Sequence, residues 1–131
     1  MPTEAQWEYA CRSGGKDELY CGGSDLDRLT WYDKNSGSKT HAVGGKTANG
    51  LGLYDMSGNV WEWTCSVSAE PYNGAEQRCA SNSDATSARA VRGGSWYDNV
   101  PRSLRAADRS FILPESRDEN LGLRLARTLS P

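Results

Sequence analysis

The chain has 131 residues, of which 37% are hydrophobic, and its formal net charge is −2. This length accommodates one domain with one sizeable core, and the hydrophobic content excludes global disorder. The charge gives no whole-chain basis for binding nucleic acid or an anionic membrane. No stretch approaches a membrane span, and the N-terminus lacks the basic-then-apolar pattern of a signal peptide. We therefore expect either a cytoplasmic chain or one preceded by a further segment.

The first predicted element is a helix near the N-terminus. Residues 3–6, TEAQ, form a capping box in which Thr3 and Gln6 cap each other's backbone N–H. The following apolar residues share one helical face, and the glycine pair at 14–15 ends the helix. Those apolar residues are Trp7, Ala10 and Cys11.

Residues 16–52 are rich in Gly, Asp, Ser and Asn, which predicts turns. Their one apolar island, residues 29–32, indicates at most a short strand. Residues 66–88 form a long polar loop.

Three strands follow from the patterns at 60–65, 89–92 and 121–126. In the first, Trp61, Trp63 and Cys65 fall on one side, which is a strand signal. In the last, leucines alternate with smaller or charged residues, which predicts a closing strand with one buried face. A helix followed by short strands and long loops favours an antiparallel α+β class, in a single domain covering residues 1–131.

The four cysteines fall in two local pairs, Cys11 with Cys21 and Cys65 with Cys79. Neither spacing matches a zinc ribbon, and the single histidine, His41, leaves no Cys/His ligand cluster. Two local disulfides in an oxidising compartment and four ordinary, partly buried thiols are both compatible with the sequence.

Four blocks of sequence resemble the formylglycine-generating-enzyme (sulfatase-modifying factor) family. They are PTEAQWEYA at 2–10, NGLGLYDMSGNVWEW at 49–63, RGGSW at 92–96 and LGLRL at 121–125, in the family's order. The resemblance implies a C-type-lectin-like fold, here in a compact form that begins at what is usually the family's second helix.

The family's oxidases use two cysteines just after the GGS-aromatic block, where they bind copper. An ungapped match places Asp98 and Ser103 at those positions, and no cysteine follows Cys79. Neither a carboxylate nor a hydroxyl is a soft ligand for Cu(I), and serine cannot replace a thiol in redox chemistry. We therefore expect no copper and no oxidase activity; the alternative is an oxidase or other enzyme on the same scaffold.

Within this family the blocks, with Cys65 and Cys79 flanking Glu76, are most similar to variable proteins of diversity-generating retroelements. The resemblance implies a diversified ligand-binding region at about 92–124, which recognises a protein or another macromolecule. Adenine-directed diversification of AAC-type codons does not yield Trp, Lys, Met or Gln, and residues 97–121 contain none of them. Glu115 and Glu119 depart from that pattern.

Residues 110–114, SFILP, carry three large apolar side chains between charged neighbours. They predict either an exposed apolar patch with a charged rim, typical of a protein-recognition surface, or a short core strand. We assign Trp96, Arg102, Arg105 and Arg109 to the scaffold, Arg105 and Arg109 as internal ion-pair or backbone-binding residues. The predicted ligand contacts are Tyr97, Asp98, Asn99, Ser103, Asp108, Ser110, Phe111, Ile112, Leu113, Ser116, Asp118, Glu119 and Asn120.

The resemblance also implies a structural Ca²⁺ site in the second block. Its ligands would be the Asp55 and Glu62 side chains and the Gly58 and Val60 carbonyls, hard oxygen donors that suit Ca²⁺. The alternative is that Asp55 and Asn59 cap a turn while Glu62 pairs with an arginine.

Overall fold

The computed structural model describes residues 1–129, which fold into short helices around one four-stranded sheet. The helices are α1 (Glu4–Cys11), α2 (Leu26–Leu29) and α3 (Asp33–Ser36); the strands are β1 (Trp61–Val67), β2 (Arg89–Arg92), β3 (Ser110–Ile112) and β4 (Leu121–Leu123). Single 3₁₀ turns lie at Ala75–Gln77 and Pro101–Leu104. The predicted α+β class is confirmed. No helix in this part of the chain is long and apolar enough to span a membrane.

Helix α1 begins at the predicted capping box. The Thr3 hydroxyl accepts a hydrogen bond from the Gln6 N–H at 3.2 Å, and the Gln6 side chain accepts one from the Thr3 N–H at 2.9 Å. Trp7 and Cys11 are buried in the main apolar cluster, together with Met56. The local signal and the buried face therefore agree, and this helix prediction is confirmed.

Residues 29–32 do not form the short strand that their apolar character indicated. Leu29 ends α2 and Tyr32 precedes α3. The reason is local side-chain capping: Asp25 accepts from the Arg28 N–H, and Asn35 accepts from the Tyr32 N–H. These contacts favour two short helices over an isolated strand.

The sheet has the order β3-β2-β1-β4. β1 pairs antiparallel with β2, and β2 with β3, but β4 runs parallel to β1. The prediction of antiparallel strands is therefore corrected to a mixed sheet. The cause is the connection after β3, which we call the crossing segment (residues 113–120): it leads from one edge of the sheet to the other and starts β4 in the direction of β1.

The two faces of the sheet differ in a way that the sequence pattern did not show. On β1 the polar residues Glu62, Thr64 and Ser66 are buried, whereas Trp61 and Trp63 lie half-buried on the opposite face. We call the opposite face the outer face. On β1 the tryptophans are therefore more exposed than the polar residues that alternate with them.

The predicted buried leucine face of the last strand is wrong. Leu121 is half-buried, but Leu123 is 59% and Leu125 79% exposed. The inward positions are Gly122, where a Cβ would lie 2.9 Å from a Val60 methyl group, and Arg124, which reaches the buried Glu62. The strand is therefore oriented by the close packing at Gly122 and by the pairing of Arg124 with Glu62, and not by burial of its leucines.

Both local cysteine pairs form disulfides, Cys11–Cys21 and Cys65–Cys79. Of the two alternatives left by the sequence, the structure shows the bonded one. The first disulfide joins the end of α1 to the turn region beside it, and the second closes the start of the long loop after β1.

Candidate ligand-binding surface

Buried ion pairs hold both ends of the predicted variable region. At the start, Arg92 is fully buried and pairs with Glu8 and, at 3.5 Å, with Glu4 of α1. At the end, the Arg124 guanidinium donates to both carboxylate oxygens of Glu62, at 2.9 and 3.0 Å. Because all three acids come from the first half of the chain, the region is fixed to the scaffold at its two ends.

Arg109 holds the middle of the region in the same way. Its guanidinium donates to both oxygens of Glu4, at 2.6 and 2.8 Å, and to the Ala69 carbonyl at 2.7 Å. The interpretation of Arg109 as an internal ion-pair residue is confirmed. Arg102 and Arg105 are exposed and form no ion pair within residues 1–129, so their assignment to the scaffold is corrected.

Five of the thirteen predicted contact residues come together around one open cavity of about 420 Å³. The cavity lies on the outer face of the sheet, between β1, β2, β3 and the crossing segment. Its floor is apolar, and its rim is polar, which is the usual composition of a ligand site. The five predicted residues are Ser110, Ile112, Ser116, Asp118 and Asn120.

The remaining lining residues are ones that the sequence did not single out as contacts: Trp61, Val91, Arg117 and Leu121. Trp61 lies in the second family block and was predicted only as part of a strand. The alternation of Trp61 and Trp63 against Glu62 and Thr64 was visible, but it does not tell which side faces the core. The buried side could have been identified from Glu62, which must face the core because it accepts a hydrogen bond from the buried Trp7 indole N–H at 3.0 Å.

The crossing segment is held mainly by its own hydrogen bonds. The Ser116 N–H donates to the Leu113 carbonyl at 3.0 Å, and the Arg117 guanidinium donates to the Pro114 and Ser116 carbonyls. Within residues 1–129, its backbone bonds to the sheet at its end, where the Asn120 carbonyl accepts from the Trp61 N–H. A second open cavity of about 460 Å³, floored by Trp63, lies on its other side. Ligand-accessible space therefore borders this segment on both sides.

A second group of predicted contacts lies away from this cavity, around the 3₁₀ turn at Pro101–Leu104. Tyr97 is 68% exposed, and its ring packs edge-on against Trp96 with centroids 5.7 Å apart. Asp98 is committed to structure, because its carboxylate accepts from the Ser95 N–H at 2.7 Å and hydroxyl at 2.9 Å. The structure therefore corrects Asp98 from a free contact to a turn-stabilising residue.

Asn99 is exposed, whereas Ser103 and Asp108 are half-buried. Burial raises the pKa of Asp108, against the opposing charges of Arg102 and Arg92. A carboxyl in such surroundings is poorly hydrated, so it gains most from a ligand that brings a hydrogen-bond donor.

Residues 110–114 combine features of both earlier alternatives. They begin with a strand, as the core hypothesis required, but Phe111 is 59% and Leu113 49% exposed, as the patch hypothesis required. The cause is position: β3 is an edge strand, so side chains beyond the core remain in solvent. Glu119 is exposed on the crossing segment.

The predicted Ca²⁺ ligands fit a cation only in part. Asp55 is buried, and one of its carboxylate oxygens has no hydrogen-bond partner among the described residues. Glu62, however, has both oxygens engaged by Arg124 and one by Trp7. Burial raises the pKa of Glu62, which Arg124 opposes. Glu62 therefore pairs with an arginine, as the alternative to the calcium site has it, and the calcium site itself stays a prediction.

Comparison with known proteins defines the family. The model of the sulfatase-modifying factor enzyme 1-like domain matches residues 1–129. The chain belongs to this family. It is 35% identical to inactive C-alpha-formylglycine-generating enzyme 2 of Bos taurus over 96% of this chain and 43% of that protein. It is 33% identical to the formylglycine-generating enzyme of Mus musculus, over 96% of this chain and 38% of that protein.

Among solved structures, Treponema denticola variable protein 1 matches with a TM-score of 0.80 at 37% identity, over 94% of this chain and 45% of that one. CarF matches with a TM-score of 0.75 at 31% identity, over 99% of this chain and 48% of that one. The predicted C-type-lectin-like fold is thereby confirmed. The chain spans less than half the length of each of these relatives.

Proposed function

We propose that the protein is a non-catalytic ligand-binding module of the variable-protein type, which binds a protein through side chains displayed by residues 92–124. The observation that carries the proposal is the cavity on the outer face, where five contact positions from β3 and the crossing segment converge over Trp61. The likeness to Treponema denticola variable protein 1 supports it. The origin implied by the sequence resemblance is a diversity-generating retroelement.

The distribution of burial also supports display of variable residues. The ion-paired arginines at positions 92, 109 and 124 are buried or half-buried, whereas the predicted contacts are half-buried or exposed. Surface positions away from networks usually tolerate substitution within about 0.5 kcal/mol. A segment built in this way can change its contacts while its scaffold stays folded.

Two observations favour binding over oxidation. All four cysteines are in disulfides, and the positions aligned with the oxidase cysteines hold Asp98 and Ser103. The relatives include proteins described as inactive alongside formylglycine-generating enzymes, so the family alone does not decide the activity. Thiol chemistry would need a cysteine that this segment lacks.

The first experiment tests catalysis directly. The protein is incubated with Cu(I), oxygen and a Cys-X-Pro-X-Arg peptide, and the peptide mass is followed; a matched active relative is the positive control. We expect no conversion of the cysteine to formylglycine. Conversion by this chain at a rate above the copper-only blank would overturn the non-catalytic proposal.

A second experiment tests display. The exposed or half-buried contacts, without Asp98, are randomised to the residues that AAC-type codons can yield, and the folded fraction is measured by protease resistance. We expect most variants to stay folded and binders to emerge against purified proteins. As a control, the same randomisation at positions 92, 109 and 124 should unfold most variants. Equal loss of folding in the two libraries would contradict a display scaffold.

A further inference from the structure

The edge of β3 that points away from β2 has no neighbouring strand among the described residues; we call it the outer edge of β3. β3 pairs only with β2, and no other hydrogen bond within residues 1–129 uses the backbone of residues 110–112. In an antiparallel pair, alternate residues direct their N–H and C=O groups away from the partner strand. This edge therefore presents backbone donors and acceptors to any extended chain that lies beside it.

β3 is a short edge strand of three residues, but it carries none of the residues that usually protect an edge. Its residues, SFI, include no proline, lysine or inward-pointing charge, and Phe111 is mostly exposed. The nearest proline on this side, Pro114, lies after the strand. A short edge strand without protecting residues, next to an exposed phenylalanine and inside a predicted ligand-binding region, can accept a second short strand.

The 420 Å³ cavity adjoins this edge on the outer face. Ser110 and Ile112 of β3 line it, and Val91 and Trp61 continue its floor across β2 and β1. Side chains alternate between the two faces of a strand. In a strand added beside β3, every second side chain would therefore face the cavity, and the intervening ones would lie beside Phe111.

The cavity wall indicates the chemistry of such a strand. The Arg117 guanidinium donates only to the Pro114 and Ser116 carbonyls and has no carboxylate partner among the described residues. The neighbouring Asp118 carboxylate accepts from the Asn120 N–H. Arg117 is therefore the rim group that remains open to a carboxylate from a partner, and arginine binds carboxylates with two hydrogen bonds.

We propose that the protein binds an extended segment of a partner protein by strand addition at the outer edge of β3. One large apolar side chain of that segment enters the cavity over Trp61 and Ile112, and an acidic residue beside it pairs with Arg117. Backbone bonding supplies affinity, and the cavity supplies specificity. This inference rests on the proposed function and specifies the form of its ligand.

The test uses the whole chain and a displayed library of random ten-residue peptides. A selected peptide is synthesised with a single N-methyl group at each position in turn, and its affinity is measured by fluorescence anisotropy. We expect the affinity to fall tenfold or more only at one position or at two positions that are two residues apart, and to change less than threefold elsewhere, because β3 has three residues and only alternate ones bond outward.

A matched pair of protein variants tests the cavity. Ser110→Trp fills it and should weaken peptide binding at least tenfold. Ser24→Trp adds the same side chain at an exposed loop residue that does not line the cavity and should change binding less than twofold. Protease resistance checks that Ser110→Trp is folded; if it is not, the N-methyl series alone decides. Arg117→Gln should lower the affinity only for peptides that contain an acidic residue.

The outcomes separate this inference from the proposed function. Peptide binding without this pattern of N-methyl losses overturns strand addition. If no peptide is enriched but a folded-protein library yields binders that substitutions at the contact positions block, strand addition is also overturned and the proposed function stands. If neither library yields binders, both are overturned. The expected N-methyl pattern together with the Ser110→Trp effect supports strand addition.

Discussion

Glu4 is the residue through which the scaffold holds the predicted variable region most directly, and its loss gives the sharpest test of that arrangement. The carboxylate is fully buried and binds Arg109 twice, at 2.6 and 2.8 Å, with Arg92 3.5 Å away. Glu4→Gln keeps the shape of the side chain but removes its charge. Two guanidinium groups then lose a shared partner in a poorly hydrated site.

The expected cost follows from what each arginine retains. Breaking a buried ion pair typically destabilises by about 3–5 kcal/mol, because the remaining charge is unpaired. Arg92 keeps Glu8, and Arg109 keeps the Ala69 carbonyl and is 19% exposed, so both are partly compensated. We therefore expect a loss near the lower end, about 3 kcal/mol of unfolding free energy.

Urea unfolding followed by tryptophan fluorescence, with both disulfides intact, measures this loss. For a slope of about 1–3 kcal/mol/M, the midpoint should fall by roughly 1–3 M. Glu119→Gln is the matched control, since Glu119 is exposed and in no ion pair of the described residues, and its midpoint should barely move. A Glu4→Gln loss below about 1 kcal/mol would refute the argument that this buried network anchors the region.

Three further predictions follow from other contacts. Burial opposes ionisation of Glu8, but the hydrogen bond and charge of Arg92 outweigh it and lower the pKa of Glu8 below 4.5. The ionised Glu8 side chain therefore stabilises the fold fully above pH 4.5, and this stabilisation is lost as the pH falls through the lowered pKa. The difference in urea midpoint between wild type and Glu8→Gln should shrink below pH 4.5. Because Arg124 occupies Glu62, 1 mM Ca²⁺ should not raise the melting temperature of the wild type but should raise that of Arg124→Gln; a rise in the wild type would support the calcium site predicted from the sequence. Replacing Cys65 and Cys79, which are 14 residues apart, by serine should cost about 3 kcal/mol in unfolding free energy, and an equal stability of the reduced and oxidised wild type would contradict this.

Much of the fold could be predicted because its signals are local. The capping box around Thr3 and the alternation along β1 require only neighbouring residues, and both elements appear where expected. The parallel pairing of β4 could not be predicted in this way. It depends on the path of the crossing segment over the sheet, which no local pattern specifies.

The candidate site divides along the same line. The contact positions on β3 and the crossing segment were predicted from their place in the family pattern, and five of them share one cavity. Their floor was missed because alternation shows that two faces exist without showing which one is buried. On β1 the buried face is the polar one, because Glu62 accepts hydrogen bonds from both Trp7 and Arg124 on that side.

That inversion has a consequence for how the protein could bind a changing set of ligands. The buried Glu62 fixes β1 and the end of the predicted variable region by specific hydrogen bonds. The tryptophans of β1 are then left to form an apolar floor on the other face. An apolar floor contributes affinity without demanding a particular polar partner, whereas polar groups left unpaired on binding are costly. On the proposed function, changes at the contact positions would alter specificity while Trp61 and the ion-paired arginines stay the same. Glu62 therefore links the scaffold to the cavity floor, because its burial directs the polar side of β1 inward and Trp61 outward.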